Sequence, residues 1–253
     1  MLRSPRRRAR SRLPLPHRIA NRGLAYASAA ALPPVARAVR RERLTYLSVA
    51  KLRSLTRALA AVRRAGVAGD FVECGVALGG SGIVLARHLD PGRAFHGFDL
   101  FGTIPPPGAQ DPPEAHARYA RIAAGEAEGL GPGDAYYGYV DDLLEQVRAS
   151  FARHDVPVAP GRVELHRGLF EDTLELKAPV ALAHVDSDWY DPVGLCLERL
   201  HPHLSPGALV IADDYNDYGG CATACHEFLG RAGDMRILRA QPHLVLQRRP
   251  GAG

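Results

Sequence analysis

Two apolar runs that each end in acids constrain this chain more than anything else in it. One is Ala183-His184-Val185-Asp186-Ser187-Asp188-Trp189-Tyr190, and the other is Val210-Ile211-Ala212-Asp213-Asp214-Tyr215. A short continuous apolar run reads as a strand buried on both faces, the pattern of a sheet covered by helices. The acids then fall where each strand leaves the sheet, so four carboxylates converge on one edge. Ionised carboxylates held that close repel one another and cannot all stay charged. A hard divalent cation such as Mg²⁺ relieves the repulsion, because it prefers oxygen ligands. The alternative is four solvated acids capping the helices that follow. Two acid pairs on two strands favour the metal reading over the capping one.

The remainder of the chain alternates between strand and helix signals. Leu52, Leu55, Leu59 and Val62 fall on one helical face within 42–65, and Gly66 and Gly69 end that helix. Phe71–Val76 is a buried strand running into Gly75, Gly79, Gly80, Ser81 and Gly82, with a helix through Arg87. Strand, glycine turn and helix N-terminus form a nucleotide-binding corner, where the backbone approaches a ligand closely. The Gly-x-Gly-x-x-Gly dinucleotide spacing is absent. Glu73 before the turn would repel a pyrophosphate and suits a cationic ligand, such as one carrying an ammonium and a sulfonium. Ala94–Asp99 is a second strand ending in an acid; Asp99 there either accepts hydrogen bonds from both hydroxyls of a ribose or caps a turn.

Residues 101–138 break the alternation. Pro105-Pro106-Pro107, Pro112-Pro113 and the glycines of 129–133 bracket a charged segment. A long insertion at the ligand edge of such a sheet is typically a lid or substrate loop. Of Tyr136, Tyr137 and Tyr139, at least two are expected to pack rather than touch a ligand. A helix over 140–151, a strand over 162–166, and a turn into a short helix at 168–174 follow. A helix from Val193 to Leu204, another from Gly219 to about Arg231, and a hairpin over 235–248 complete the order. Repeated βα units closed by a hairpin make a doubly wound α/β sheet, mostly parallel with an antiparallel C-terminal edge strand.

The net charge of +5 comes from one end. Residues 1–22 hold eight arginines and no acid, so the remaining chain carries −3 and offers no basic face for nucleic acid. Residues 1–40 read as a flexible Arg/Pro/Ala-rich extension with at most one short helix, and 41–253 as the folded domain. No apolar run approaches the roughly 20 residues that span a bilayer. The four cysteines (Cys74, Cys196, Cys221, Cys225) match no zinc spacing, and a reducing cytoplasm fits them best. Lysine occurs only at 51 and 177.

Six stretches together resemble a known family. They are Gly69–Val76, Gly79–Ser81, Phe98–Pro105, Gly168–Leu174, His184–Tyr190 and Ile211–Tyr215, spread over roughly 42–248. Their order and spacing are similar to the macrocin O-methyltransferase (TylF) group of the class I S-adenosylmethionine-dependent methyltransferases. The resemblance implies a seven-stranded Rossmann-like sheet, an S-adenosylmethionine donor, Mg²⁺ dependence, and methylation of a sugar hydroxyl in natural-product biosynthesis. It implies metal ligands at Asp186, Asp213 and Asp214, and a general base at Asp188. By motif position it places the donor on Glu73, Gly75, Gly79, Ser81, Asp99, Gly168 and Phe170, with Ser48 in a segment that covers it. The expected partner is a small-molecule or sugar acceptor, with no nucleic acid and no membrane span, and the apolar N-terminal helices are candidates to pair subunits as a homodimer or higher homo-oligomer.

Three other readings compete. A catechol-like hydroxyl could replace the sugar. A non-catalytic nucleic-acid-binding protein on the same scaffold would use 1–22 as a basic arm, against which stand the −3 body and the acid cluster. A metal-dependent hydrolase needs histidines beside the acids, and only His184 qualifies, from a strand position that suggests an inward side chain or one orienting a ligand from behind.

Overall fold

A computed structural model describes residues 32–251; the Arg-rich stretch 1–22 lies outside the described residues. The core is one seven-stranded sheet. Its strands are β1 (Asp70–Cys74), β2 (Phe95–Asp99), β3 (Val163–Arg167), β4 (Val180–Val185), β5 (Leu204–Ala212), β6 (Met235–Arg239) and β7 (Leu244–Arg248), in the order β3-β2-β1-β4-β5-β7-β6. The first five run parallel; β7 inserts antiparallel between β5 and β6. This is the doubly wound sheet expected from the alternation, with the hairpin forming its antiparallel edge. Every residue of β4 is buried, as its unbroken apolar run requires of a central strand covered on both faces.

The helices are α1 (Pro34–Arg41), α2 (Val49–Arg64), α3 (Gly80–Ala86), α4 (Pro113–Ala123), α5 (Leu143–Arg153), the one-turn α6 (Phe170–Thr173), α7 (Tyr190–Leu200) and α8 (Gly219–Arg231). Leu52, Leu55, Leu59 and Val62 are all buried, so the periodic face of α2 is the one that packs. The expected helix over 42–65 nonetheless starts late. Arg43 takes a left-handed conformation (φ 57°), and Leu44 N–H donates to the Val39 carbonyl at 2.8 Å, a Schellman-type stop for α1. The chain then runs extended until Ser48 caps α2, its hydroxyl accepting from Lys51 N–H at 3.2 Å. The extended stretch is tied to the glycine turn, because Gly80 N–H donates to the Leu44 carbonyl at 2.8 Å. The folded body therefore includes α1, so the short helix of the 1–40 stretch belongs to the core.

The insertion has a small core of its own, built from Ile122, Ala127 and Tyr136. Tyr139 packs there too, its hydroxyl donating to the Ile122 carbonyl at 2.7 Å. Two hydrogen bonds fasten the insertion to the loop after β4: Trp189 Nε1–H donates to the Pro105 carbonyl (3.0 Å), and Tyr190 N–H to Asp111 (2.9 Å). All four cysteines are free and buried. Among the described residues no helix is long and apolar enough to cross a membrane.

Candidate active site

Strand register assembles the site. Cys74 pairs with Val185, and Val185 with Ala212, so β1, β4 and β5 end level with one another. The next residues, Gly75, Asp186 and Asp213, leave the sheet side by side. Asp186 N–H donates to the Cys74 carbonyl at 2.8 Å. Gly75 has φ 93°, and a Cβ there would overlap the Asp186 carbonyl oxygen, so only glycine fits between these tips. The backbone is strained nearby: Ala77 (φ 46°), Phe101 (φ 50°) and Asp188 (φ 59°) are left-handed just beyond β1, β2 and β4. Such conformations cost on the order of 1–3 kcal/mol each and collect at functional sites.

Two cavities open at these tips. The larger, about 510 Å³, is walled by Gly75, Asp99, Gly168, Phe170, Asp186 and Asp188, among others. The smaller, about 250 Å³, is lined by Lys51, Tyr136, Asp213, Asp214 and Tyr218 and shares Gly75, Asp99, Asp186 and Asp188 with its neighbour. Asp99 is fixed by three backbone N–H groups, from Val76 (2.7 Å), Ala77 (2.8 Å) and Phe101 (2.6 Å). Burial still holds its carboxyl above the ordinary range despite those bonds. Tyr137 and Trp189 border both spaces.

The acids differ sharply in electrostatics. Burial, then the charges of Asp213 and Asp214, pushes Asp186 well up; burial, then Asp214, does the same to Asp188. Burial and Asp213 push Asp214 up to about 6. Asp213 goes the other way. Burial would raise it, but His184, His243 and Lys51 together hold it far below the usual carboxylate range. Lys51 Nζ donates to Asp213 Oδ2 at 2.5 Å and to Asp217 at 2.6 Å, and His243 Nδ1 lies 2.9 Å from Asp213 Oδ1. His184 Nε2 stands 3.5 Å from that same oxygen, long for a hydrogen bond but close enough for charge attraction.

Asp186, Asp213 and Asp214 each offer an oxygen, and the three lie within 4.8 Å of one another. An all-oxygen set of this kind suits Mg²⁺ or a similar hard cation. The mutual repulsion that raises Asp186 and Asp214 is what such a cation would relieve, so the residues fit the metal reading.

The structure brings together Gly75, Asp99, Gly168, Phe170, Asp186, Asp188, Asp213 and Asp214. Four of the expected donor residues line neither cavity. Glu73 is wholly buried, with Oε1 at 2.9 Å from His184 Nδ1, its cross-strand neighbour; its cation is that histidine rather than a ligand. A Cβ on Gly79 would press on Val147 and Phe151, so this glycine serves helix packing. Ser81 is buried within α3, and Ser48 is a helix cap. Instead, Tyr46, Leu47 and Lys51 of that N-terminal segment reach the smaller cavity. Sequence reasoning missed Lys51 and His243, which hold Asp213, and Arg118, which lines the smaller cavity. The available signal for Lys51 was its rarity, one of two lysines in an arginine-dominated chain.

The fold is similar to that of the O-methyltransferase NovP, with a TM-score of 0.66 and 25% identity over 81% of this chain and 82% of that one. It is also similar, as a fold alone, to a calicheamicin methyltransferase (TM-score 0.55, 18% identity, 96% and 99% covered). A Rossmann-like sheet of this order with a cleft at its parallel strand tips defines the class as a methyltransferase. The model of the macrocin O-methyltransferase (TylF) family matches residues 35–235, and the chain belongs to that family of O-methyltransferases. A Streptomyces olivaceus relative, 8-demethyl-8-(2,3-dimethoxy-alpha-L-rhamnosyl)-tetracenomycin-C 4'-O-methyltransferase, is 35% identical over 75% of this chain and 69% of its own. Demethyldecarbamoylnovobiocin O-methyltransferase of Streptomyces niveus is 30% identical over 73% and 67%.

Proposed function

We propose that this O-methyltransferase moves a methyl group from S-adenosylmethionine to a sugar hydroxyl of a glycosylated natural product, in the cytoplasm, with a divalent metal held by Asp186, Asp213 and Asp214. The observation that carries the reading is the shared wall: Asp186 and Asp188 face both the larger cavity, which suits the donor, and the smaller one, which suits the acceptor. The relatives support the acceptor class, since the Streptomyces olivaceus protein is a 4'-O-methyltransferase of a rhamnosyl-tetracenomycin.

In this reading Asp99 accepts a hydrogen bond from a ribose hydroxyl of the donor through Oδ1, the oxygen that takes only one of its three backbone bonds. Gly168 and Phe170 flank the adenine. The insertion 101–138 acts as a lid, and Trp189 and Tyr137 exclude water from the transfer path. Bound at the three acids, a divalent ion would acidify and orient the acceptor hydroxyl. Asp188 receives the hydroxyl proton as the oxygen bonds to the methyl carbon and the carbon–sulfur bond breaks, turning the sulfonium into a thioether. Its raised affinity for a proton suits it to that task.

The test is a methyl-transfer assay with S-adenosylmethionine and Mg²⁺, offering rhamnosylated aromatic polyketides beside simple catechols, for the wild type and Asp213→Ala. Transfer to the sugar, lost in the variant while calorimetric binding of S-adenosylhomocysteine survives, is the expected result. Full turnover by Asp213→Ala in the presence of chelator would overturn the metal role, and preference for catechols would overturn the acceptor.

A further inference from the structure

A second cluster lies on the sheet face away from these cavities. Alternate residues of neighbouring strands share a face, and register pairs His96 with Glu164 and Phe98 with His166. His96 Nδ1, His166 Nε2 and Glu164 Oε2 form a triangle with edges of 3.3, 3.8 and 3.7 Å. Two nitrogens bound to one tetrahedral zinc ion at its usual bond length stand about 3.3 Å apart. Neither edge to Glu164 is short enough for a good hydrogen bond, and the single hydrogen bond in the triangle, between the two ring nitrogens, is a long one at 3.3 Å, so the three ligand atoms surround one small space.

Each ligand is also held from behind. Asp70 Oδ2 lies 3.5 Å from His96 Nε2, so a proton on Nε2 would face this carboxylate and leave the Nδ1 lone pair for a metal. Asp70 is itself fixed, accepting from Ala94 N–H at 2.8 Å through its other oxygen. Glu164 accepts from Gly161 N–H through Oε1 at 2.6 Å, which leaves Oε2 free. His166 stacks on Phe98, centroids 4.4 Å apart. A carboxylate behind a ligating histidine is the usual support of a metal site.

The crossover from β3 to β4 contains only the single turn α6. It leaves a cavity of about 480 Å³ over this face, lined by Asp70, His96, Glu164 and His166. A fourth coordination position therefore has room. None of these residues lines the cavities beside the acid cluster.

We infer that His96, Glu164 and His166 bind a zinc-class transition-metal ion, which clamps the sheet's edge strand β3 to β2. Imidazole ligands separate this site in chemistry from the all-oxygen cluster, because Mg²⁺ has little use for nitrogen donors. Among the described residues β3 has β2 as its only strand neighbour, so a metal bridge across that pair stabilises the least supported parallel strand.

The experiment uses the full chain saturated with Mg²⁺ and titrated with Co²⁺, followed by visible absorption and thermal unfolding. One equivalent should bind with the strong d–d bands of a low-coordinate site and raise the unfolding temperature, and Zn²⁺ should displace it. His166→Gln should abolish both signals. Asp70→Asn should weaken binding by about 10–100-fold, as changes behind a ligand do. Methyl transfer under Mg²⁺ should survive in both. Glu164→Gln, nearly isosteric, serves if His166→Gln fails to fold. Absence of a one-to-one complex, or an unchanged cobalt spectrum in whichever of these ligand variants folds, overturns the assignment.

Discussion

Replacing Lys51 by Met should lower the stability of the metal-free protein and at the same time increase its response to Mg²⁺. The Met stem preserves most of the apolar packing and deletes only the ammonium. Lys51 is 14% exposed and Asp213 5%, with 2.5 Å between the charged atoms. At an effective dielectric of about 20 the attraction at that distance is roughly 6–7 kcal/mol before desolvation is counted. Desolvation cancels part of this, and breaking one side of a buried pair costs about 3–5 kcal/mol in practice. For a chain of this size that corresponds to a fall of roughly 6–20 °C in unfolding temperature. The same deletion frees Asp213 Oδ2, since Asp213 then keeps only the histidine side of its partners. Mg²⁺ has lost a competing cation and should bind more tightly, so saturating metal restores more stability to the variant than to the wild type. Urea unfolding of both proteins, with chelator and with Mg²⁺, reads all four states. A variant as stable as wild type without metal, or one that gains no more from Mg²⁺, would refute this account of Lys51.

Asp188→Asn should lower kcat by about 10²–10⁴-fold, the range of a lost general base, while Mg²⁺ and S-adenosylhomocysteine still bind; single-turnover kinetics beside calorimetry measure this. Protons should compete with Mg²⁺ at Asp214, whose carboxyl titrates near 6. The unfolded carboxyl titrates near pH 3.9, so the metal-free fold has this group's stabilisation in full below about pH 4 and loses it as pH rises through about 6. Metal binding runs the other way: each pH unit below about 6 should cost roughly tenfold in affinity for one competing proton. Calorimetric titration between about pH 5 and 8 checks it, and a flat affinity across that range would contradict the shift at Asp214.

The sheet and most of the acid cluster were legible because they depend on local patterns. An apolar run fixes a strand, register follows from parallel pairing, and acids just past two neighbouring strands must meet. Lys51 was not legible, because it reaches Asp213 across 162 positions from a helix whose rotation only packing sets. His243 arrives from β7's approach, where alternation is weak and nothing local marks the residue that meets Asp213. The late start of α2 was hidden for a different reason. The stop after α1 is made by Arg43 in a conformation that arginine rarely adopts, where a glycine would have announced the turn.

Glu73 shows why a motif position differs from a ligand contact. Two residues before the Gly75 tip, its side chain stays inside the sheet layer, and across the strand it meets His184. Burial raises Glu73 toward its neutral form, while Glu73 and Asp213 flank His184 and hold its proton tightly despite burial. The charge on His184 in turn helps keep Asp213 ionised when Asp186, Asp188 and Asp214 are each pushed toward neutrality. The acids of the glycine-turn motif and the second strand tip are thereby joined through one histidine. Asp213 becomes the fixed anion of the site, while at Asp188 burial and the charge of Asp214 outweigh the pull of Arg118 and Lys51, which suits Asp188 to the base's part in the proposed reaction.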